Sequence, residues 1–223
     1  MKINILLSIA IVFAALGVGC NTRSPMMANT NTNMAMDHNN SNMPMNGNSM
    51  QGMNNGNMDH SMMQSSPNAA SAPYDLQFLD TMIAHHQDAV DMAGPVTTKA
   101  RHAEIKTLAT NIISSQEKEI AQMKAWRDQW FAGAAPAMNM EMMGMNDSMK
   151  GMDMKSLGTL SGNDFDLAFI KQMVPHHEGA VVMAKEALKK TTKPEIKTLA
   201  NDIIKTQQAE IKQMKEWRTA WSK

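Results

Sequence analysis

The chain has 223 residues, of which 21 are Lys or Arg and 21 are Asp or Glu, so its formal net charge at pH 7 is zero. A balanced charge argues against a polyanion-binding surface, and therefore against nucleic acid as a partner. The unusual feature is methionine, which occurs 26 times against a single cysteine. With one cysteine the chain can form no intramolecular disulfide.

The first twenty residues, "MKINILLSIAIVFAALGVGC", combine an early lysine, an apolar run and small residues at the end. This pattern is typical of an export signal, which we exclude from the fold, and the apolar run is short for a transmembrane helix. Its end at Cys20 resembles a bacterial lipoprotein signal, although Gly17 stands where leucine is usual. Ordinary cleavage that leaves a free Cys20 is the alternative. In both cases we expect an exported protein of the cell envelope, either periplasmic or anchored to the membrane by a lipid on Cys20.

Two stretches of low complexity interrupt the chain. Residues 21–73 hold only three charged residues, no aromatic residue, and many Asn, Ser and Met. Such a composition cannot bury enough apolar surface to offset the entropy of ordering, so it predicts a disordered tail. Residues 132–160 are similar, and we predict that they form a disordered Met-rich linker.

The remaining sequence is duplicated. Residues 74–130 align without a gap to residues 165–221, and every matched pair lies 91 positions apart. Apolar residues recur at spacings of three and four in each copy, and "GP" at 94–95 predicts the end of the first helix. We therefore predict a helical hairpin over 74–131 and a second over 161–223. Two tandem hairpins favour an all-α fold, a four-helix bundle that buries four apolar stripes.

Polar residues stand inside the apolar stripe of the second helix of each hairpin. They are Gln116 and Glu119 in the first copy and Gln207 and Glu210 in the second. A buried carboxylate without a partner costs several kcal/mol, roughly, so a partner is expected. Folding the second hairpin about residue 192 brings His176 level with Gln207 and Met173 level with Glu210. The "HH" pair of each copy thus shares a layer with the Gln and Glu.

Adjacent histidines lie about 100° apart on a helix, so one should face its own hairpin and the other the neighbouring hairpin. Two interpretations remain open: a metal site in each hairpin, or a hydrogen-bonded His–Glu layer that fixes helix register. His102 has Lys193 as its counterpart, and we interpret it as a surface residue. The candidate metal ligands of the bundle are Met82, His85, His86, Met92, Gln116, Glu119 and Met123, with Met173, His176, His177, Met183, Gln207, Glu210 and Met214.

Methionine is also dense outside the helices, with eleven in residues 26–63 and eight in residues 138–154. Solvated segments usually avoid it because it is apolar and readily oxidised. Thioether sulfur is a soft, neutral ligand that prefers Cu(I), and by the same softness Ag(I), and it forms no disulfides. The alternative is a linker whose composition has drifted. The candidate ligands here are Met36, His38, Met58, His60, Met62, Met140, Met142, Met143 and Met145.

The segments "FLDTMIAHHQDAVDMA" and "FIKQMVPHHEGAVVMA", each followed by a Q-x-x-E-I-x-x-M helix, resemble the bacterial domain-of-unknown-function family 305. The second copy is the closer match, since the first has Ala84 and Asp88 where the second has Pro175 and Gly179. The resemblance implies a ferritin-like fold. For Met-rich periplasmic members it also implies copper binding and a role in copper tolerance. It points to Met82, His85, His86, Met92 and Met123, and to Met173, His176, His177, Met183 and Met214.

Together these features predict an extracytoplasmic copper-binding protein that is not an enzyme. It would sequester or buffer Cu(I) or Cu(II), and Ag(I) by the same chemistry, and contribute to metal tolerance; its delivery partner is unknown. One alternative is a ferritin-like metal oxidase, which needs Glu-x-x-His on two helices, a motif that neither paired-histidine segment has. The other is an envelope adaptor whose polar layer only sets register.

Overall fold

The structure is a computed structural model that describes residues 64–223. The predicted signal peptide, Cys20 and the tail through residue 63 lie outside the described residues. Between 64 and 223 no helix is long and apolar enough to cross a membrane. A 3₁₀ turn at Ala69–Ser71 precedes the helices, which are α1 (Tyr74–Ala93), α2 (Val96–Lys99), α3 (Ala103–Trp130), α4 (Met145–Met149), α5 (Met154–Thr159), α6 (Gly162–Lys190) and α7 (Pro194–Trp221).

Four long helices form the bundle, which confirms the all-α prediction of two tandem hairpins. Helix α1 packs on α3, α6 packs on α7, and the hairpins meet where α1 lies against α6. Helix α1 ends at Ala93, directly before Gly94, as the "GP" signal predicts. Helix α6 continues for 29 residues through Pro175, and Pro194 opens α7, where its missing N–H costs no helical bond.

The apolar core has two parts, one on each side of the paired histidines. The lower core joins the end of α1, the start of α3, the first half of α6 and the end of α7. The upper core joins the complementary halves of the same helices. The lower core is built around Met92, Ile105, Ile112, Phe165, Phe169, Met173 and Met214. The upper core is built around Phe78, Met82, Met123, Met145, Met183, Ile196 and Ile203.

The segment between the repeats is ordered, so the prediction of a disordered linker over 132–160 was wrong. It forms α4 and α5, and Met145 and Leu157 on these helices are 0% and 1% exposed. The physical reason is tertiary: methionine in this segment packs on the bundle, and Asn139 hydrogen-bonds to α1. The last part of the predicted tail is ordered too, because the Ser66 N–H donates to the Met138 carbonyl at 2.8 Å.

A buried carboxylate joins the two hairpins at the lower end of the bundle. Asp166 is fully buried and accepts hydrogen bonds from the backbone N–H groups of Arg101 and His102. It also lies 2.6 Å from Nδ1 of His102, whose ring stacks on Trp221 at 3.8 Å. The prediction that His102 is only a surface residue was therefore wrong. Its side chain is 24% exposed and links the start of α3 to α6 through Asp166.

We expect Asp166→Asn to destabilise the fold by about 2–3 kcal/mol, because an amide cannot accept from all three donors and leaves buried N–H groups unpaired. Urea unfolding followed by circular dichroism measures the change. Asp202→Asn, at an exposed position of α7, is the matched control and should change stability by less than about 0.5 kcal/mol. Equal stability of the two variants would contradict a role for Asp166 in joining the hairpins.

Candidate metal centre

Four histidines form a closed polar layer between the upper and lower cores. His85, His86, His176 and His177 are all 0% exposed. The rings of His85 and His176, which are equivalent in the two repeats, face each other with centroids 3.7 Å apart. Within each pair the centroids are 6.2 Å apart. The duplication thus brings both "HH" pairs to one place at the centre of the bundle.

The second histidine of each pair is held by the glutamate of its own hairpin. His86 Nε2 lies 2.6 Å from Glu119 Oε2, and His177 Nε2 lies 2.9 Å from Glu210 Oε2. A carboxylate accepts, so Nε2–H donates and the lone pair of the neutral ring is on Nδ1. Neither Nδ1 has a hydrogen-bond partner among the described residues. A carboxylate behind one ring nitrogen commonly orients a metal-binding histidine.

The first histidine of each pair faces the other hairpin and, in the part of the chain that the structure describes, has no well-formed hydrogen bond at either ring nitrogen. Burial lowers the pKa of His85 well below its usual value, and the adjacent imidazoles of His86 and His177 lower it further. Burial likewise lowers the pKa of His176, with added effects of His85, His177 and His86. Both rings are therefore neutral near pH 7, and each carries a free lone pair.

The prediction that one histidine faces its own hairpin and the other its neighbour is confirmed, but the predicted register was wrong. His177, not Met173, meets Glu210. Side chains lean toward the N-terminus of their helix, so levels judged from Cα positions miss the true partner by about one turn in an antiparallel pair. The first repeat has the same offset, since His86 meets Glu119.

The stripe that contains the two glutamates also contains two glutamines. Gln116 and Gln207 are each 3% exposed, and the Oε1 atom of each is buried without a hydrogen-bond partner within residues 64–223. Buried polar atoms are nearly always paired, so unpaired imidazole nitrogens and amide oxygens concentrated in one region favour a ligand-binding role. Donors of these kinds suit a metal ion more than an apolar ligand.

The predicted methionine ligands lie in two matched groups of three, one on each side of the histidine layer. Met82, Met123 and Met183 are in the upper core, and all are 1% exposed or less. Their counterparts Met173, Met214 and Met92 are in the lower core and are equally buried. Each group takes two methionines from one repeat and one from the other, so a site here would be shared by the hairpins rather than confined to one.

Four of the predicted ligands outside the long helices are described by the structure. Met142 and Met145 are buried in the upper core and Met140 packs against it, whereas Met143 is 63% exposed. The predicted ligands Met36, His38, Met58, His60 and Met62 lie outside the described residues. Among residues 64–223, no three His, Cys, Asp or Glu side chains are grouped so that they could hold a metal. A metal centre in this region would therefore draw on thioether or amide donors as well.

Two features of this region were not identified from the sequence. The first is that the inter-repeat segment packs on the upper core, through contacts that no periodic sequence pattern indicates. The second is the face-to-face approach of His85 and His176. The available signal for it was the exact repeat, because equivalent residues on a pseudo-two-fold axis lie opposite each other.

A duplicated bundle with a central paired-histidine layer defines the class of protein, and comparison with known proteins agrees. The chain matches the family described as "Domain of unknown function (DUF305)" over residues 21–127 and 75–218, and it belongs to that family. A DUF305 protein of Streptomyces coelicolor, provisionally described as secreted, is 29% identical with a TM-score of 0.62. That alignment covers 70% of this chain and 96% of the other.

Among solved structures, the chain is similar to CopM. The Cu(I)-bound form of CopM is 45% identical, with a TM-score of 0.57, over 66% of this chain and 96% of CopM. CopM has also been solved with Ag and with Cu(II), and those structures match this chain equally well, with TM-scores of 0.57 and 0.56. An uncharacterized mimivirus protein, L153 of Acanthamoeba polyphaga mimivirus, is 45% identical over 49 residues. That match spans 22% of this chain and about a third, 32%, of the viral protein.

Proposed function

We propose that this chain is an extracytoplasmic copper-binding protein that holds Cu(I), and by the same chemistry Ag(I), in its bundle without turnover. One observation carries the proposal: three buried thioethers lie on each side of a buried layer of four imidazoles with unpaired ring nitrogens. Thioether and imidazole together suit a soft monovalent cation. The similarity to CopM, which has been solved with Cu(I), Cu(II) and Ag, supports the same assignment here.

The burial of these donors favours retention of the metal over catalysis. A cation transferred into an apolar core is stabilised only where donors replace its water, and both groups of three methionines lie fully inside. A redox enzyme of the ferritin-like type would need clustered carboxylates. Here Glu119 and Glu210 each bind a histidine of their own hairpin. We propose that the protein sequesters or buffers the metal and thereby contributes to metal tolerance.

The proposal places this activity outside the cytoplasm, on the strength of the signal-like first twenty residues and the provisionally secreted relative from Streptomyces coelicolor. Thioethers are suitable ligands there, because they neither oxidise to disulfides nor need deprotonation. A lipid on Cys20 would hold the protein at the membrane. Mass spectrometry of protein isolated from bacterial membranes tests the anchor, since acylation adds a defined mass and Cys20→Ala abolishes it.

We expect the chain from residue 21 onward to bind several equivalents of Cu(I), and residues 64–223 to bind fewer, because the shorter chain lacks the methionines of residues 26–63. Anaerobic titration against a chromogenic Cu(I) chelator measures both. The shorter chain should begin at Gln64 rather than Tyr74, because Ser65 and Ser66 hydrogen-bond to Met140 and Met138. Failure of either chain to compete at micromolar chelator would contradict the proposed function.

A further inference from the structure

The two methionine groups are related by the repeat, yet the inter-repeat segment makes their surroundings unequal. It adds Met142 and Met145 to the upper core, 9% and 0% exposed, with Met140 and Met149 packed against them. To the lower core it contributes buried Leu157 but no buried methionine, since Met152 and Met154 there are only partly buried. Buried thioethers therefore number five in the upper core (Met82, Met123, Met142, Met145 and Met183) and three in the lower core (Met92, Met173 and Met214).

Hydrogen bonds fix the start of this segment on α1, next to a methionine of the upper core. The Asn139 N–H donates to Thr81 Oγ1 at 2.9 Å, and its side-chain amide donates to Gln77 Oε1 at 2.8 Å. The Ala137 N–H donates to Asp80 Oδ2 at 2.8 Å. Since Thr81 precedes Met82 in the chain, these bonds hold the segment over the upper core.

A close backbone contact fixes the next part of the segment on α6, two residues beyond His177. A Cβ placed on Gly179 would lie 2.4 Å from Ser148 Cβ and 2.5 Å from the Gly144 carbonyl oxygen. Gly144 also has φ +96°, which other residues rarely adopt. The counterpart of Gly179 in α1 is Asp88, so α1 offers no equivalent close backbone approach beside the lower core.

The segment also connects the upper core to solvent. Met143 is 63% exposed, yet its sequence neighbours Met142 and Met145 are buried. Within residues 64–223, Met143 and Val182 are the exposed large apolar side chains. Val182 lies at the Gly144 contact beside Met143. Thioethers thus run from the surface to the core within three sequence positions.

The N-terminal part of the described chain joins the bundle at this same place. The Met140 N–H donates to Ser65 Oγ at 2.9 Å, and the Ser66 N–H donates to the Met138 carbonyl at 2.8 Å. The first described residues therefore contact the inter-repeat segment beside the upper core.

From this arrangement we infer that the inter-repeat segment is the entry port for the soft cation and that the upper core is loaded before the lower core. The inference rests on the proposed function. The cation passes from Met143 to Met142 and Met145, and then to Met82, Met123 and Met183. Each step exchanges one neutral thioether for another, so the metal keeps its oxidation state and no proton or electron moves.

The physical reason is the cost of burying a partly coordinated cation. A monovalent ion that left water for an apolar core without donors would lose far more hydration energy than it could regain. Thioethers gathered in one cluster allow the next donor to bind before the previous one leaves, which keeps the barrier low. Among residues 64–223, the methionines at the edge of the lower core, Met152 and Met154, are partly buried and adjoin no buried methionine of the inter-repeat segment, so the same ion reaches the lower core more slowly.

The test uses Ag(I), which is redox-stable, and the chain from residue 21 onward labelled with ¹³C at the methionine methyl groups. Single Met→Leu variants assign the six methyl signals of the two trios. During stepwise addition of Ag(I), the signals of Met82, Met123 and Met183 should shift at lower equivalents than those of Met92, Met173 and Met214. Stopped-flow measurements should show two phases, the faster belonging to the upper core.

Two variants disturb the port in different ways. The triple variant Met142→Leu, Met143→Leu, Met145→Leu removes the sulfurs but keeps the apolar volume. Gly179→Ala keeps every sulfur but displaces α4, and alanine favours the α6 helix. Both should slow the fast phase at least fivefold. The matched control, Met152→Leu with Met154→Leu, changes inter-repeat methionines beside the lower core and should leave the fast phase unchanged.

Each outcome decides the inference. Early shifts of the upper-core signals, delayed by both port variants and not by the control, support it. Simultaneous loading of the two cores, earlier loading of the lower core, or a fast phase insensitive to both port variants overturns it and leaves the proposed function intact. Absence of any methyl shift with Ag(I) overturns the proposed function, and the entry port with it. Circular dichroism confirms that each variant is folded.

Discussion

Leucine at Met82, Met123 and Met183 together is expected to abolish one of the two thioether groups and to remove about half of the Cu(I) capacity of residues 64–223. Leucine and methionine have similar volumes, so each exchange should cost less than about 1.5 kcal/mol of stability. The three sulfurs are the only donors lost, and all are buried in the upper core. Anaerobic titration with Cu(I) against a chelator of known affinity measures the remaining capacity.

The matching variant of the lower core, with leucine at Met92, Met173 and Met214, should remove the other half of the Cu(I) capacity. A variant with leucine at all six positions should remove nearly all of that capacity. A repacking control keeps all sulfur and exchanges apolar residues of the upper core: Leu79→Ile, Leu199→Ile and Ile203→Leu. Its capacity should equal that of the unchanged chain. If the variant with leucine at all six positions binds Cu(I) as before, the two groups of three methionines are not the donors, and that part of the proposal is wrong.

The fold of this chain could be predicted from sequence to the extent that it depends on periodicity and duplication. The exact 91-residue repeat indicated two hairpins, and the stripe containing Gln116 and Glu119 located the polar layer. The 100° angle between adjacent helical residues also gave the opposite orientations of His85 and His86. These properties are local or follow from symmetry, so a single sequence is enough to show them.

Tertiary contacts account for what could not be predicted. Composition assigned residues 132–160 to disorder because they are rich in Met and Asn, but a methionine side chain can pack wherever an apolar surface is available. Here the close approach of Gly144 to Gly179 lets the segment pack on α6, and the sequence around neither glycine indicates this contact. Asp166 is similar, since its buried bonds to Arg101 and His102 join residues about 65 positions apart.

The stability of the metal-free bundle is expected to fall steeply as pH decreases below about 6.5. Burial lowers the pKa of His85 and His176 well below 6.5, so the folded chain binds fewer protons there than the unfolded chain. The contribution of these two neutral rings to the free energy of unfolding is therefore fully present above pH 6.5 and is lost as the pH falls below that value. The expected slope is about 1.4 kcal/mol per pH unit for each histidine, about 2.8 for both. Urea unfolding at intervals of half a pH unit, with a metal chelator present, measures it.

The double variant His85→Leu with His176→Leu isolates this effect, because leucine fills a similar volume and cannot be protonated. Between pH 6.5 and 5 its free energy of unfolding should depend less steeply on pH. The difference in slope should be at most the value given above for the two rings together. The groups that face them, His86 with Glu119 and His177 with Glu210, are unchanged in the variant. Parallel pH profiles for the two proteins would mean that His85 and His176 take up protons in the folded state. In that case the two facing rings, whose centroids are 3.7 Å apart, would not both be neutral in the folded protein.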